Sequence, residues 1–346
     1  MTKKVAVALS GGVDSSVAAL LLKQQGYEVC GICAKMLDTE DSCLIVKNAE
    51  AVAKKLDIPF YEINVVNEFN NKVLNYFKES YKKGITPNPC IMCNKFIKWG
   101  ALFDYALEVL KVDYVATGHY AKIKKENDLF LLYPASDEIK DQLYFLFTLE
   151  QKHLSKTLFP LSDYKKTEIR EMAKEFDLPT KSSKESQDIC FIKHPMTTKK
   201  YLNNLFSPLK GTFIEKNTGS ILGFHEGYWQ FTIGQRKGIG IAAKEPLYVT
   251  QIDARNNIVY LGYKQDLYEE KLRLQNISFF KKPTQNEFKA LVKIRYNMNA
   301  IPAEIRIYDD YTELSFEKHT VSAIAKGQAC VLYDINDEHL IGGAFI

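Results

Sequence analysis

The sequence predicts an α/β domain built on a parallel sheet, followed by a small β-rich central domain and a C-terminal β-barrel. In the first half of the chain, apolar and β-branched runs alternate with longer helical stretches. From about residue 209 onward the pattern changes to short alternating runs separated by Gly, Asn and Pro, which is typical of antiparallel strands. The length of 346 residues also exceeds the usual size of a single domain.

Hydrophobic periodicity places the individual elements. Strands of the first domain are predicted at residues 5–9, 29–33, 60–65 and 114–117. Helices are predicted at residues 15–25, 46–56, 68–81, 95–110, 165–176 and 197–205. Strands of the C-terminal part are predicted at residues 259–262, 290–296, 303–307 and 330–333. The changes of pattern predict three domains, at residues 1–205, 206–271 and 272–346.

The composition is that of an ordinary globular protein, with 46% hydrophobic and 25% charged residues. No apolar run approaches the roughly 18 to 20 residues needed to span a bilayer, and the N-terminal strand leads into Ser10 and not into a cleavage site. We therefore expect a cytoplasmic protein. Seven cysteines are too few for a disulfide scaffold in a chain of this length. The formal charge of +4 is compatible with a polyanionic partner but does not require one.

A loop rich in serine and glycine follows the first predicted strand and precedes a helix, with the sequence Ser10-Gly11-Gly12-Val13-Asp14-Ser15-Ser16. Glycines turn amides inward without steric penalty, hydroxyls add donors and a helix N-terminus carries partial positive charge, so the loop suits a phosphate. It lacks the Gly-Lys-Ser/Thr ending of a Walker A motif, which disfavours γ-phosphate transfer. Asp14 suggests a magnesium ion bound to the phosphate. A simple tight turn is the plain alternative.

Four of the cysteines have an ordinary structural interpretation. Cys30 and Cys33 lie in a predicted core strand, where residues three apart point to opposite faces. Cys43 is predicted in the loop after that strand and Cys330 in a C-terminal strand, and neither has a chemical partner visible in the sequence.

Cys90 and Cys93 stand in a different context, because two prolines predict an extended loop that presents them just before a helix beginning near Asn94. A thiol at a helix N-terminus with a lysine such as Lys95 beside it should have a lowered pKa and act as a nucleophile. The Cys-x-x-Cys spacing also fits half of a zinc site, but no second cysteine or histidine pair follows nearby to complete it.

A further cysteine lies in the segment Ser186-Gln187-Asp188-Ile189-Cys190-Phe191. The loop at residues 10–16 resembles that of the ATP pyrophosphatase, or PP-loop, superfamily, whose members adenylate a substrate and release pyrophosphate. Together with that loop, the segments at residues 88–94 and 186–191 resemble those of the tRNA 2-thiouridylases. Further blocks that look like this family lie in order at residues 117–120, 140–142, 232–238, 293–296 and 327–329.

The resemblance implies a Rossmann-like PP-loop domain that uses ATP and magnesium to adenylate the C2 oxygen of the wobble uridine, after which sulfur displaces AMP. Cys190 matches the residue that carries the sulfur as a persulfide. Cys93 matches the catalytic partner thiol, which releases the sulfur and closes a disulfide with Cys190. The positions that match the ATP site are Ala8, Leu9, Ser10, Gly11, Gly12, Val13, Asp14, Ser15, Ala34 and Gly118.

The same resemblance implies contact with the anticodon stem-loop of a transfer RNA. It also implies a sulfur-donor protein, such as a cysteine desulfurase or a relay protein. The matching tRNA positions are His119, Lys140, Asp141, Gln142, Arg295, Tyr296 and Gln328. Read alone, these residues have ordinary meanings, such as a satisfied loop histidine at His119 or a β-surface pair at Arg295 and Tyr296.

Two positions depart from the family pattern. Ala34 stands where the ATP site of the family usually has methionine, so an adenine contact there should be weaker or rely on the backbone. Cys90 stands where many members have aspartate. Cys90, Cys93 and Cys190 would supply three thiolates, enough to hold an iron–sulfur cluster with one iron left open.

Several interpretations therefore stay open at this point. The persulfide relay is favoured, and a cluster-dependent thiolase would use the same residues together with Cys90. An amide-forming adenylating ligase would use the same loop but would need no paired cysteines. A non-catalytic RNA-binding or sulfur-carrier protein would release no pyrophosphate.

Overall fold

In a computed structural model the described residues are 2–183, 189–192 and 195–346. The chain folds into two compact units. The first comprises Met1–Leu74, Cys90–Ser186 and Asn336–Gly342, and the second comprises Asn75–Pro89, Gln187–Ile335 and Gly343–Ile346. None of the helices in the described part of the chain combines the length and the apolar character needed to span a bilayer.

A five-stranded parallel sheet forms the centre of the first unit. The strands of this unit are β1 (Lys4–Ala8), β2 (Glu28–Lys35), β3 (Phe60–Asn64), β4 (Tyr114–Ala116), β5 (Lys122–Glu126), β6 (Leu129–Tyr133) and β7 (Thr157–Leu158). The sheet has the order β3-β2-β1-β4-β7, and each neighbouring pair is parallel. The predicted parallel sheet is therefore confirmed, and the residues that follow β1, β2 and β4 lie at one edge of it.

Helices connect these strands. They are α1 (Val13–Gln24), α2 (Glu40–Leu56), α3 (Val66–Phe69), α4 (Asn75–Lys82), α5 (Pro89–Cys93), α6 (Phe103–Glu108), α7 (Gln151–Leu154), α8 (Lys166–Glu175) and α9 (Thr198–Leu205). Two π-helical segments, Asn70–Leu74 and Asn94–Leu102, join α3 to α4 and α5 to α6.

The helix α1 is the most deeply buried element of the first unit. Almost every residue from Val13 to Leu22 is buried, and the strand β1 beside it buries Val5 and Val7 completely. The helix α8 packs against α1. Since α1 contacts both the sheet and another helix, the loop that precedes it is held firmly at the sheet edge.

The helix α2 begins earlier than the periodicity predicted. Thr39 caps it by accepting a hydrogen bond from the amide of Ser42 at 3.3 Å, and Glu40 and Asp41 lie in its positively polarised first turn. Cys43 is therefore an exposed residue within α2, and its predicted loop position is wrong. The polar first turn hides the helix from a search for apolar periodicity.

The prediction that an extended loop continues up to Asn94 is also wrong for the last residues of that loop. The helix α5 begins at Pro89, and both Cys90 and Cys93 lie within it. Proline is favoured at the first helical position, because its missing N–H is not needed there and its φ is already helical.

A β-hairpin of the first unit was not predicted from the sequence. The strands β5 and β6 pair in antiparallel fashion across a tight turn, in which Asn127 has a φ of +53°. Asparagine and aspartate tolerate this conformation, so the pair at residues 127 and 128 was the available signal.

The second unit is rich in β-structure, as predicted. After α9 come β8 (Gly211–Glu215), β9 (Ile221–His225), β10 (Tyr248–Asp253), β11 (Ile258–Gly262), β12 (Tyr268–Glu269), β13 (Lys271–Leu274), β14 (Ser278–Phe279), β15 (Glu287–Lys293), β16 (Ile301–Ile307), β17 (Thr312–Phe316), β18 (Val321–Ser322), β19 (Ala329–Tyr333) and β20 (Leu340–Phe345). They form a four-stranded sheet in the order β10-β11-β8-β9, a β12-β18 pair and a seven-stranded sheet in the order β13-β17-β16-β15-β19-β20-β14. The β-rich central part and the β-rich C-terminal part are thus confirmed, whereas the boundaries at residues 205 and 271 stay predictions.

Aromatic side chains form the core of the second unit. Phe213, Trp229 and Phe231 are buried there, and Phe77 of α4 joins them. The ring of Phe77 packs edge-to-face against Phe191, with 5.2 Å between the centroids. The helix α4 therefore belongs to the second unit, although it lies early in the sequence.

A buried carboxylate stabilises the seven-stranded sheet. Glu313 on β17 lies opposite Arg273 of β13 in the antiparallel register, and its side chain is only 5% exposed. Its oxygens accept from Nζ of Lys271 at 2.7 Å and from Nε of Arg273 at 2.9 Å. The hydrogen bond from Lys271, and then that from Arg273, lowers the pKa of Glu313 below its ordinary value of 4.5.

We expect Glu313→Gln to weaken the loss of stability at acid pH. A carboxyl whose pKa is lower in the folded state stabilises fully above its unfolded pKa, and this contribution disappears as the pH falls through the folded pKa. Below pH 4.5 the free energy of unfolding of the variant, measured by urea titration, should therefore fall less steeply with decreasing pH. The slope should differ by the equivalent of up to about one bound proton per molecule. Glu304→Gln, which changes an exposed carboxylate on β16, is the control. An acid slope equal to that of the unchanged protein would contradict the expectation.

Candidate active site

The loop between β1 and α1 is shaped by its glycines and serines. Gly11 has a φ of +67°, and a Cβ on it would lie 2.9 Å from the carbonyl oxygen of Ile45, so only glycine fits. The amide of Ser10 donates to Oγ of Ser15 at 3.1 Å, and the two hydroxyl oxygens are 3.2 Å apart. The helix α1 starts directly after Gly12. The exposed residue Ser10 thus brings a hydroxyl group beside a helix N-terminus, a combination suited to phosphate.

The other residues assigned to the ATP site lie around this loop in the first unit. Ala8 ends β1, and the amide of Leu9 donates to the carbonyl oxygen of Ile32 at 2.8 Å. The side chains of Leu9 and Val13 are buried in the core. Ala34 is half-buried near the end of β2.

Gly118 lies against the loop. A Cβ at this position would be 2.7 Å from the amide nitrogen of Ser15 and 2.8 Å from the carbonyl carbon of Asp14. The approach arises because β4, which ends just before Thr117, is the parallel neighbour of β1. No side chain fits between the two backbones, so a glycine is required here.

Asp14 has two partners that no sequence pattern indicated. Nζ of Lys166 lies 2.5 Å from Oδ1 and 2.7 Å from Oδ2 of Asp14, and the hydroxyl of Tyr120 donates to Oδ1 at 2.8 Å. Lys166 is the first residue of α8 and is only 8% exposed. These partners are 106 and 152 residues away from Asp14 in the chain, so only the packing of α8 on α1 brings the ion pair together.

His119 is buried, and both of its ring nitrogens have partners. Nδ1 lies 2.8 Å from Oγ1 of Thr117, and Nε2 lies 3.2 Å from Nζ of Lys98. An ammonium group only donates, so Nε2 accepts and Nδ1 carries the proton. Burial, followed by the charge of Lys98, lowers the pKa of His119 well below 6.5. The ring is therefore neutral at physiological pH, with the contacts of a satisfied core histidine.

The turn formed by Lys140, Asp141 and Gln142 binds the backbone of the protein itself. The amide of Leu143 donates to Oδ1 of Asp141 at 3.1 Å, and the amide of Tyr120 donates to Oε1 of Gln142 at 3.1 Å. Lys140 is half-buried. Asp141 and Gln142 thus shape the turn next to the residue that binds Asp14.

The two cysteines of α5 have different environments, since Cys90 is exposed and Cys93 is buried. Although part of Cys90 is exposed, desolvation of its thiol raises its pKa, and the charge of Lys98 opposes this only partly. The expected lowering of the thiol pKa is therefore wrong for Cys90, because the loss of water outweighs the nearby positive charge.

The segment before α5 is held by the C-terminal part of the second unit. The amide of Thr86 donates to the carbonyl oxygen of Lys326 at 3.0 Å, and Nε2 of Gln328 donates to that of Thr86 at 2.9 Å. A Cβ on Gly327, whose φ is +90°, would lie 2.8 Å from the same oxygen of Thr86. Gln328 therefore holds the chain that leads to Pro89, a role that its sequence context did not indicate.

Cys190 is exposed on a turn whose neighbours are packed into the second unit. Phe191 packs against Phe77, and Ile192 is 4% exposed with its amide donating to the carbonyl oxygen of Ile189 at 2.8 Å. The core of the second unit thus anchors this turn while Cys190 stays accessible. The preceding motif residues lie outside the described residues: Ser186, Gln187 and Asp188.

Arg295 and Tyr296 follow β15 in the second unit. Arg295 is exposed, and Tyr296 is half-buried with its carbonyl oxygen accepting from the amide of Met298 at 2.9 Å. The guanidinium group of Arg295 therefore lies at the surface, where it is accessible to a phosphate group.

The remaining core cysteines are structural, as predicted. Desolvation raises the pKa of Cys30 to about 11 and that of Cys33 to about 12, and both residues lie in β2. Cys330 is fully buried in β19, and burial raises its pKa as well. Such thiols are protonated and poorly nucleophilic at neutral pH.

The fold and the loop together define a PP-loop nucleotide-binding protein whose α/β domain is followed by two β-rich domains. Three family models match consecutive parts of the chain. The tRNA methyl transferase HUP domain matches residues 3–194, the tRNA methyl transferase PRC-barrel domain matches residues 199–263, and the aminomethyltransferase beta-barrel domain matches residues 269–346.

Curated relatives match over the full length. The tRNA-specific 2-thiouridylase MnmA 1 of Clostridium botulinum (strain Loch Maree / Type A3) is 43% identical, covering 100% of this chain and 99% of its own. MnmA of Clostridium acetobutylicum is 42% identical and covers 100% of both chains. MnmA of Clostridioides difficile is 40% identical, covering 100% of this chain and 98% of its own. The chain belongs to the family of the tRNA-specific 2-thiouridylases.

We expect Gly118→Ala to destabilise the protein and to displace the loop, because its Cβ would overlap the backbone of Asp14 and Ser15. Overpacking of this kind costs about 1 to 3 kcal/mol. Gly12→Ala is the matched control within the loop, since its Cβ would meet only Oγ of Ser10 at 3.5 Å. Urea unfolding of the three proteins checks this expectation. Equal stability of the two variants would show that Gly118 has room for a side chain.

Proposed function

We propose that this protein is an ATP-dependent tRNA 2-thiouridylase that converts the wobble uridine of transfer RNA to 2-thiouridine. The observation that carries the proposal is the full-length relationship to tRNA-specific 2-thiouridylases at 40 to 43% identity. The amide-forming ligase and the sulfur carrier are less well supported, because the ligase needs no paired cysteines and the sulfur carrier needs no phosphate loop.

ATP would be held by the loop and by the sheet edge next to it. The positive φ of Gly11 and the lack of room for a Cβ at Gly118 support a cradle in which the backbone approaches the phosphates closely. Asp14 would bind the magnesium ion that accompanies them. Ala34, with its small side chain, would contact the adenine mainly through the backbone of β2.

The chemistry would proceed in balanced steps. The C2 oxygen of the uridine attacks the α-phosphate and pyrophosphate leaves, so the oxygen becomes part of a good leaving group. The terminal sulfur of a persulfide on Cys190 then attacks C2 and AMP leaves. The thiolate of Cys93 attacks the sulfur atom of Cys190, which leaves the transferred sulfur on C2 and forms a Cys93–Cys190 disulfide. An external thiol reductant must restore both cysteines, and a sulfur-donor protein must restore the persulfide.

The proposed RNA contacts differ in what they would contribute. Arg295 is an exposed cation suited to a phosphate, and Tyr296 beside it is suited to stacking on a base. The segment from Lys140 to Gln142 would contact the RNA through the surface of its turn. Gln328 and the neutral His119 would lie near the bound RNA. In the structure Gln328 binds the carbonyl oxygen of Thr86, and His119 binds the hydroxyl of Thr117. The proposed thiolation of transfer RNA is consistent with the cytoplasmic location expected from the sequence.

Single replacement of either relay cysteine should abolish thiolation but leave ATP binding intact. We expect Cys93→Ser and Cys190→Ser each to lower 2-thiouridine formation by at least about a thousandfold, because each thiol forms a covalent bond in the reaction. Cys43→Ser is the control, since Cys43 is an exposed cysteine on α2. Nucleoside mass analysis after incubation with ATP, transfer RNA and a persulfide donor measures the outcome. Substantial 2-thiouridine from either relay variant would rule out the relay.

Cys90 supports a second mechanism, in which an iron–sulfur cluster delivers sulfide. Under the relay, Cys90→Ala should lower activity only partly, because Cys90 forms no bond to the transferred sulfur. Under the cluster mechanism, the same change should remove both the activity and the iron. Anaerobic purification with iron and sulfide analysis, followed by thiolation assays of cluster-loaded and metal-free protein, separates the two. Full activity of metal-free protein supplied with a persulfide donor would exclude the cluster.

A further inference from the structure

Lys98, the lysine that contacts His119, is held in place on both sides. Its neighbours in the π-helical segment after α5 are Ile97, which is completely buried, and Trp99, which is 2% exposed. The indole nitrogen of Trp99 donates to Oγ1 of Thr157 at 2.9 Å, which anchors the backbone next to Lys98 in the core. The lysine side chain itself is half-buried, and its Nζ lies 3.2 Å from Nε2 of His119.

His119 has no ring nitrogen to spare for an RNA. The residue is 8% exposed, and its ring packs against Trp99 with 5.3 Å between the centroids. Nδ1 donates to the hydroxyl of Thr117, and Nε2 accepts from Lys98. A hydrogen bond between this ring and an RNA would therefore leave Thr117 or Lys98 without the partner that it has in the structure.

The ammonium group of Lys98 has more capacity for hydrogen bonds than His119 uses. An ammonium group carries three N–H donors, and His119 accepts from one of them. The charge of Lys98 also acts on the thiol of Cys90, where it opposes the effect of desolvation on the pKa. Cys90 lies on α5 together with Cys93, so the positive charge lies near the helix that carries the proposed catalytic thiol.

We propose that Lys98 binds a backbone phosphate of the RNA next to the target uridine, and that His119 contributes to RNA binding only by holding the ammonium group of Lys98. This proposal rests on the proposed thiolation of transfer RNA. A uridine whose base reaches Cys93 brings its flanking phosphates toward α5, because a nucleotide moves with its backbone when its base leaves the stack. Lysine is a common partner of such phosphates.

The neutral state of His119 suits this role. A carboxylate in the same place would pair with Lys98 and cancel its charge, whereas a neutral imidazole accepts one hydrogen bond and leaves the full positive charge for a phosphate. The hydrogen bond also fixes the long side chain before the RNA binds, which reduces the conformational entropy that the lysine loses on binding. The contacts of Lys98 with His119 and Cys90 favour an RNA phosphate over the phosphates of ATP, which are assigned to the loop at residues 10–16.

The first test measures the affinity of Lys98→Gln and Lys98→Met for an unmodified transfer RNA transcript with uridine at the wobble position. We expect both variants to bind about 10- to 100-fold more weakly at low salt, the effect of one charge-assisted hydrogen bond. A plot of the logarithm of the affinity against the logarithm of the salt concentration should become shallower by about 0.7 to 0.9, because one phosphate contact is lost. Lys98→Arg keeps the charge and should retain most of the original slope.

Lys54→Gln is the matched control, because it removes one lysine from the same unit. Lys54 is exposed in the last turn of α2, which leads into the start of β3 and therefore lies at the opposite end of the sheet from His119. Its variant should bind the transcript with unchanged affinity and slope. The affinity of the Lys98 variants for ATP, measured by calorimetry without RNA, should stay within about twofold of the original.

The second test separates the two residues. His119→Phe keeps an aromatic ring against Trp99 but removes the acceptor of Lys98, so it should weaken RNA binding. His119→Gln supplies an acceptor oxygen and should retain more of the affinity. The double variant with Lys98→Gln and His119→Phe should bind no more than about twofold more weakly than Lys98→Gln alone, because both changes remove the same contact.

Three results would overturn the proposal. An unchanged salt slope in both neutral Lys98 variants would show that Lys98 meets no RNA phosphate. A loss of ATP affinity equal to the loss of RNA affinity would assign Lys98 to the nucleotide. Additive losses in the double variant would show that His119 contacts the RNA by itself. Failure of the unchanged protein to thiolate transfer RNA would instead overturn the proposed function, which the other three results leave standing.

Discussion

The contact between the backbone of Gly118 and the first turn of α1 is the constraint on which the site of the first unit depends. Because β1 and β4 are parallel neighbours, both strands end at the same edge, and the chain after β4 runs directly against Asp14 and Ser15. Only a residue without a side chain permits this approach. Two residues further on, Tyr120 reaches the carboxylate of Asp14. Gly118 therefore allows the chain to pack against the phosphate loop and places Tyr120 where it can bind the carboxylate of Asp14.

In the first unit, two lysines are positioned by tertiary packing against partners that are distant in the sequence. The ammonium of Lys166 is buried beside Asp14, and the ammonium of Lys98 is bound to the ring of His119. In both places a lysine from a helical segment places its ammonium group against a residue near the carboxyl end of the parallel sheet. The neutral His119 then serves as an acceptor and not as a cation, since its burial and Lys98 both disfavour protonation.

The cysteines show how the same side chain acquires different properties from its surroundings. Cys33 and Cys330 are buried in strands, where desolvation keeps the thiols protonated. Cys190 is exposed, because the core of the second unit holds its neighbours and leaves it at the surface. The segment that leads to Cys90 is held by Gln328, which ties the start of α5 to residues far along the chain. Reactivity is thus decided by packing around each thiol.

The sequence by itself determined the parallel sheet, the place of the phosphate loop and the β-rich second half, because hydrophobic periodicity and the chemistry of glycine are local properties. Local capping hid the start of α2 and the helical position of Cys90, since polar first turns and proline lack apolar periodicity. Only the tertiary structure decided the two partners of Asp14, the neutral state of His119 and the contact of Gln328 with Thr86. Lys166 is 152 residues from Asp14, so their contact exists only once α8 has packed on α1, and no spacing in the sequence records that packing.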